Sequence, residues 1–441
     1  MVDNGADIMI VVTDEGFGGV RHFAGTIRGR GLSPVLITTP GPDHWEAGWA
    51  ASFDQVVHVD NPYDWGTLVT AAGELAGDRR VRGMFSCYDG LMISTARAAR
   101  SLGLPCPMIP GLERARDKNA TRLWSRRAGL PTPPFALISS PYEAAEVAAQ
   151  VGLPAIIKPI NGTASHLVRR VDTVEELAEA YVTLLQRVGH SFGRHYGQRF
   201  ITAGVVGRHD PRQSFLVEGY VEGIEYSVDI IVRQGVVEHI VLLEKFLVQP
   251  VTFHESGFLW PQPDLSAERE RAIWRLVDET VHALGVDNSM AHIELIDTAD
   301  GPVIIEVNAG RLGGLLVAPM AWVAVGVDLA EETVSLYLGE DTPARTARTG
   351  REPIAGLTVF LPGAGRVTGI RGIDKIEALP GVVEVMPMCS VGDDVSATDH
   401  EVPAVGVLVA GIQDRGRLAQ LYTQILDTVV IDLSPSLPAE A

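Results

Sequence analysis

Lysine is almost missing from this chain. Of the 36 basic residues only Lys118, Lys158, Lys245 and Lys375 are lysines; the rest are arginine. A lysine kept against that background marks a place where a compact ammonium is needed and a planar guanidinium does not fit. Binding a phosphate as a point charge is one such place. For Lys375, chance retention is accepted. Cysteine is equally scarce. Cys87, Cys106 and Cys389 are too few and too scattered for a disulfide framework or a metal cluster, which points to a reducing cytoplasm. Cys87 reads as a buried thiol. Long apolar runs are absent too: residues 312–327 include Pro319, lead into acidic residues and read as a buried helix. Residues 1–7 are polar and acidic, so no N-terminal targeting segment is expected. A net charge of −19 disfavours nucleic acid and anionic membranes as partners. What is present is a globular composition, 46% hydrophobic and 21% charged, in 441 residues, enough for two or three domains.

The N-terminal third alternates buried-strand runs with helical segments, as a doubly wound α/β unit does. The loop after the first strand contains Gly16-Phe17-Gly18-Gly19-Val20-Arg21. It lacks the third glycine of a dinucleotide fingerprint, and Asp14 and Glu15 would repel a pyrophosphate, so a nicotinamide oxidoreductase is only the last of the alternatives. Residues 114–128 read as one helix, ended by the stiff linker Gly129-Leu130-Pro131-Thr132-Pro133-Pro134. A strand carrying Lys158 then runs into a small-residue loop, 160–166, with Gly162, Thr163 and Ser165. Such a loop lays backbone N–H groups over phosphates or is an ordinary hairpin connection. Residues 189–213 hold His190, His195 and His209 at spacings that fit no standard metal site, and read as a mobile loop.

The stretch Ser289–Gly314 carries the most chemistry. Asp300-Gly301 signals a hairpin turn, so Glu294 and Glu306 should face each other or nearly so. Opposed carboxylates repel unless a cation lies between them. Glu294, Glu306 and Asn308 offer only oxygen, which suits Mg²⁺ shared with nucleotide phosphates. Arg311, just beyond the strand, would face the transferred phosphate. The alternative is a solvated hairpin edge, against which the apolar flanks Ile293, Leu295, Ile304, Ile305 and Val307 argue.

Assembled, Lys118, Lys158, the segment Glu218–Glu225, and Glu294 with Glu306-Val307-Asn308 resemble the ATP-grasp superfamily. Within it, the carboxylate–amine ligases, and among them the L-amino-acid (dipeptide) ligases, are most similar. Residues 372–395 look like the C-terminal domain of those enzymes. The resemblance implies a mixed α/β and α+β ATP-grasp fold: a Rossmann-like pre-ATP-grasp domain (1–115), a two-part ATP-grasp domain (116–350, lid about 135–220), and a small α+β C-terminal domain (351–432). A disordered tail at 433–441 is expected. It further implies ATP and Mg²⁺ as cofactors, with Mn²⁺ as a substitute. Lys118 and Lys158 would contact phosphates with Gly162, Thr163 and Ser165. Glu218, Tyr220 and Val221 would form the adenine hinge, and Glu225 would hold the ribose. Glu294, Glu306 and Asn308 would ligate the metal; Arg311, with Lys158, would be catalytic.

The substrate pocket is expected among Arg311, Gly313 and Gly314, the 254–260 segment and the loop 14–19. Glu255 would take an ammonium group, and Trp260 or Trp322 an apolar wall. The reaction implied is amide formation between a small carboxylate and an amine through an acyl phosphate, in the cytoplasm, with a homodimer among the allowed assemblies. The alternatives are a purine-pathway-type ligase or carboxylase, and a nucleotide-binding regulator without catalysis.

Overall fold

The run Ile-Met-Ile-Val-Val forms β1 (Ile8–Val12), and all five residues are buried. Continuous apolar strands of this kind suit a parallel sheet covered on both faces. Helix α1 (Arg21–Gly29), β2 (Ser33–Thr38), β3 (Gln55–His58), α2 (Trp65–Ala76), β4 (Val81–Phe85) and α3 (Met92–Ser101) complete this unit. The sheet order is β3-β2-β1-β4, and its pairings are parallel. The computed structural model describes residues 6–14, 21–40, 49–163, 165–188, 209–248, 253, 255–314, 316–341, 352–395 and 403–434. Most of the loop 14–19 and most of 189–213, including His190 and His195, lie outside those residues.

The single helix expected over 114–128 is two helices, α4 (Ile109–Arg116) and α5 (Lys118–Arg127). Asp117 is in an extended conformation and its side chain accepts from Ala120 N, so it caps the second helix. Lys118 thereby becomes the first residue of a new helix. A second, antiparallel sheet follows: β5 (Phe135–Ile138), α6 (Ala144–Val151), β6 (Ala155–Pro159), β7 (Arg169–Val171), α7 (Val174–Arg187) and β8 (Phe215–Gly219), in the order β5-β8-β6-β7. Leu177, Ala180, Tyr181 and Leu184 of α7 recur at helical spacing and bury against this sheet.

The largest sheet has eight strands in the order β13-β12-β9-β10-β11-β14-β18-β16. Its parts are β9 (Ile224–Arg233), β10 (Val236–Val248), β11 (Glu255–Trp260), β12 (Ser289–Thr298), β13 (Gly301–Ala309), β14 (Ile354–Phe360), β16 (Val382–Pro387) and β18 (Pro403–Ala410). Between them run α8 (Ala267–Leu284), α9 (Val317–Val325), α10 (Leu329–Tyr337), β15 (Gly365–Arg371), α11 (Ile373–Glu377), β17 (Asp394–Val395) and α12 (Arg415–Thr428); β19 (Val430–Ser434) ends the described chain. Helix α8 starts at the Ser266 cap and stops at left-handed Gly285. Its stripe Ile273, Leu276, Val277, Val281 and Leu284 packs under β9 and β12. Each such side chain contributes roughly 1.5–3 kcal/mol by burial.

Strand β14 pairs with β11 and continues the large sheet, which covers an edge that would otherwise be open. Leu433 and Ser434, placed by expectation in the tail 433–441, instead pair with β15. Among the described residues no helix is long and apolar enough to cross a membrane.

Candidate active site

The hairpin β12–β13 sets the register. Glu294 lies opposite Glu306, and His292 opposite Asn308. A β-bulge follows Glu294, leaving Ile305 without a cross-strand partner. Its freed carbonyl accepts from Arg122 Nη2 at 2.6 Å. The flanks Ile293, Leu295, Ile304 and Val307 are buried, while Ile305 is half-buried. β13 is the outermost strand of its sheet, but the half of the hairpin that carries the carboxylates has buried flanks and is not a solvated edge.

Each of the facing carboxylates meets a lysine. Lys118 Nζ lies 3.0 Å from Glu306 Oε1 and donates to Gly162 O at 2.7 Å. Arg116 Nη1 donates to the same carbonyl at 3.0 Å. Burial, with Arg116 and Lys158 nearby, lowers the Lys118 pKa against the pull of Glu306. Lys245 Nζ lies 2.9 Å from Glu294 Oε2, 2.8 Å from Glu225 Oε1 and 3.6 Å from Glu255 Oε2. Burial would lower its pKa, but the three carboxylates raise it well above the ordinary value. Burial raises Glu225 and Lys245 opposes it, whereas Lys245 and His292 hold Glu294 well below the usual range despite burial. Sequence reasoning gave Lys245 no role. Its signal was its rarity, and its position on β10 beside β9 supplies the rest.

Lys158 joins a different cluster. Its Nζ lies 2.6 Å from Glu218 Oε2, and Arg122 Nε donates to the other oxygen of Glu218. Burial alone would raise the Glu218 pKa, but Arg122 and Lys158 bring it down to about 2. The Glu218 side chain is therefore committed to two cations in this structure.

Arg311 Nε donates to Asp89 Oδ1 at 2.7 Å, and Thr163 Oγ1 donates to Asp89 Oδ2. Asp89 comes from the loop after β4, so the N-terminal unit reaches both Arg311 and the loop 160–166. Burial opposes charge on Asp89, yet Arg311 and Arg116 hold its pKa well below the carboxylate range. In the same loop burial pushes the Cys87 thiol up to about 12, the behaviour of an inert thiol. A second unanticipated carboxylate is Asp229, on β9. It faces His292 Nδ1 at 3.1 Å and accepts from Gly313 N at 2.7 Å. Burial would depress His292, but Asp229 and then Glu294 lift its pKa to about 9.

The structure thus brings together Lys118, Glu306 and Gly162; Lys158 and Glu218; Glu225, Glu255 and Glu294 around Lys245; Arg311 and Thr163 around Asp89; and Gly313 with Asp229. Asn308 is buried beside them. Among the described residues, Tyr220 and Trp260 make no polar contact with these clusters: Arg170 stacks on Tyr220, and Trp260 packs partly buried near α9. Val221 is half-buried in the turn after β8, Ser165 takes a positive φ of 51°, and Gly314 is exposed. Trp322 is 56% exposed on α9, so it is no core residue.

For a divalent cation the donor chemistry fits: Glu294, Glu306 and Asn308 are all oxygen donors at adjoining register positions. Ser227 Oγ, opposite Glu294 on β9, is buried without a hydrogen-bond partner. Among the described residues no group of three or more His, Cys, Asp or Glu forms a closed cage. A cation held by two carboxylates and an amide leaves positions for a ligand or water, as Mg²⁺ does.

Residues 151–318 match the ATP-grasp domain family, and residues 358–434 match the L-amino acid ligase C-terminal domain 2 family. An uncharacterized protein of Sinorhizobium fredii is 28% identical over 424 residues, covering 94% of this chain and 81% of that one. Carnosine synthase 1 of Mus musculus is 25% identical over 337 residues, 73% of this chain but only 39% of the relative's length. The crystal structure of L-amino acid ligase from Bacillus licheniformis superposes with a TM-score of 0.75, covering 98% of this chain and 100% of that one at 19% identity.

Proposed function

We propose that this chain, with its ATP-grasp domain match and its L-amino acid ligase C-terminal domain match, is a ligase that joins an amino acid or similar small carboxylate to an amine in an amide bond. The observation that carries this reading is the facing pair Glu294 and Glu306, each met by a buried lysine, with Arg311 held by Asp89.

In this reading Glu218, Tyr220 and Val221 border the adenine and Glu225 the ribose. Lys118, Lys158 and Lys245 serve the phosphates as point charges, and Gly162, Thr163 and Ser165 cover them. Glu294, Glu306 and Asn308 would hold Mg²⁺, which supplies charge neutralisation on the β- and γ-phosphate oxygens. A substrate carboxylate oxygen attacks the γ-phosphorus, and the bond to the ADP oxygen breaks. The amine nitrogen then attacks the acyl carbon, and inorganic phosphate leaves. Arg311 stabilises the charge that develops on the acyl phosphate. Glu255 receives the ammonium group of the amino acid, the backbone at Gly313 and Gly314 borders the reacting carboxylate, and Trp260 closes an apolar wall.

The test is a phosphate-release screen with Mg·ATP and pairs of amino acids, followed by mass analysis. The expected result is ADP, phosphate and a product with the mass of both substrates less one water. ADP release independent of any amino acid, with no condensed product, would contradict the reading.

A further inference from the structure

Asp229 is a carboxylate with no exposure, in the middle of β9. A charge buried so deeply persists only where its oxygens are matched. Both are. Its register neighbour on β12 is His292, whose Nδ1 faces Oδ2 at 3.1 Å. The other oxygen accepts from the Gly313 amide at 2.7 Å. Gly313 lies two residues beyond Arg311, and its lack of a side chain is required here. A Cβ on Gly313 would come within 2.7 Å of His292 Nδ1 and 2.6 Å of Val317 Cγ2. The segment after Arg311 is therefore pressed against the strand that carries Glu294, and one buried carboxylate ties the two. At its other end Arg311 is held by Asp89.

We propose that Asp229 is a positioning residue for the ligation. By binding the Gly313 amide and the His292 ring together it fixes the segment 311–314, and with it the Arg311 guanidinium, relative to the carboxylates of β12 and β13. This rests on the reading of Arg311 given above. The tie acts through backbone, so it asks nothing of the Arg311 side chain and does not touch the lysines that face the phosphates. Its loss should lower the rate of the chemical step while leaving nucleotide binding alone. A misplacement of the order of 1 Å at such a group costs up to about 100-fold in rate.

The experiment compares the full-length wild type with D229N and D229A by amide hydrogen exchange and by steady-state kinetics. In the wild type the amide of Gly313 should be protected. D229N keeps an oxygen for that amide and should retain both the protection and a kcat within about threefold, the rescue a conservative variant gives. D229A should lose protection at 309–314 alone, with β12 and β13 still protected. Its kcat should fall about 10- to 100-fold at an ATP KM changed less than about twofold. Fast exchange at Gly313 in the wild type overturns the proposal without any variant. So does D229A with unaltered kcat, or D229N as slow as D229A with the segment still protected. Loss of protection across the whole sheet in D229A, with kcat and ATP KM failing together, assigns Asp229 to the fold alone. A wild type that ligates nothing refutes the ligase reading instead, and the exchange pattern then decides the tie by itself.

Discussion

The small sheet carries Lys158 beside Glu218 and the large sheet carries Lys245 beside three glutamates, and the two walls balance charge in opposite ways. On the small-sheet side, Glu218 is shared by Lys158 and Arg122, so cations outnumber carboxylates. On the large-sheet side, Lys245 is shared by Glu225, Glu255 and Glu294, and among the described residues only Glu294 has a second cationic neighbour, His292. One wall has positive charge in excess and the other negative. A polyphosphate with a divalent cation, and an ammonium group beside it, is a ligand of complementary make-up. Neither wall alone would select it: excess cations take any anion, and excess carboxylates any cation. The contrast teaches that a list of ion pairs is less telling than the residual charge each side keeps once its pairs are made.

The comparison breaks most completely at the facing pair. Glu306→Ala should lower turnover by about 10²–10³-fold or more with folding retained, measured as phosphate release beside circular dichroism. Lys158→Arg should also fail, by about 10²-fold, because a guanidinium next to Arg122 has no room to act as a point charge. Lys245→Ala takes from Glu225, Glu255 and Glu294 the cation they share, leaving His292 beside Glu294, and should destabilise the protein by about 3 kcal/mol in denaturant titration. Mg²⁺ should restore more of that loss than it adds to the wild type.

A smaller effect sharpens the other wall. The Glu218 pKa is depressed from 4.5 to about 2, so its stabilising share is full above about pH 4.5 and is lost as pH falls toward 2. Glu218→Gln should flatten the acid limb of the stability curve over that window. Lys375→Arg, exposed on α11 and away from both walls, should change stability by less than about 0.5 kcal/mol and leave activity alone.

Much of this was legible in the chain itself, for physical reasons. The short turn before Gly301 sets the β12–β13 register as far as Leu295, and the bulge after Glu294 then brings Glu294 across from Glu306. Helix α8 carries its own boundary signals in the sequence, a serine cap with Glu268 and Glu270 in its first turn and a glycine at its end. Other parts were not readable. Strand β11 contains Gly257, over which the Phe246 ring lies so closely that a Cβ would meet it at 2.4 Å, and ESGFLW shows no alternation. Asp117 breaks a helical pattern that composition alone continues. Asp89 and Asp229 have no local signal, because their partners are distant in sequence: Arg311 lies 222 residues from the first, Gly313 84 from the second. Only the folded chain brings them together.

The most direct test of the two oppositely charged walls is calorimetric titration of a non-hydrolysable ATP analogue, with and without Mg²⁺, into the wild type and Glu306→Gln. Binding that strengthens by at least about tenfold with Mg²⁺ in the wild type, and loses that dependence in the variant, is the predicted result. Equal affinity with and without Mg²⁺, or a dependence unchanged by the substitution, would contradict it.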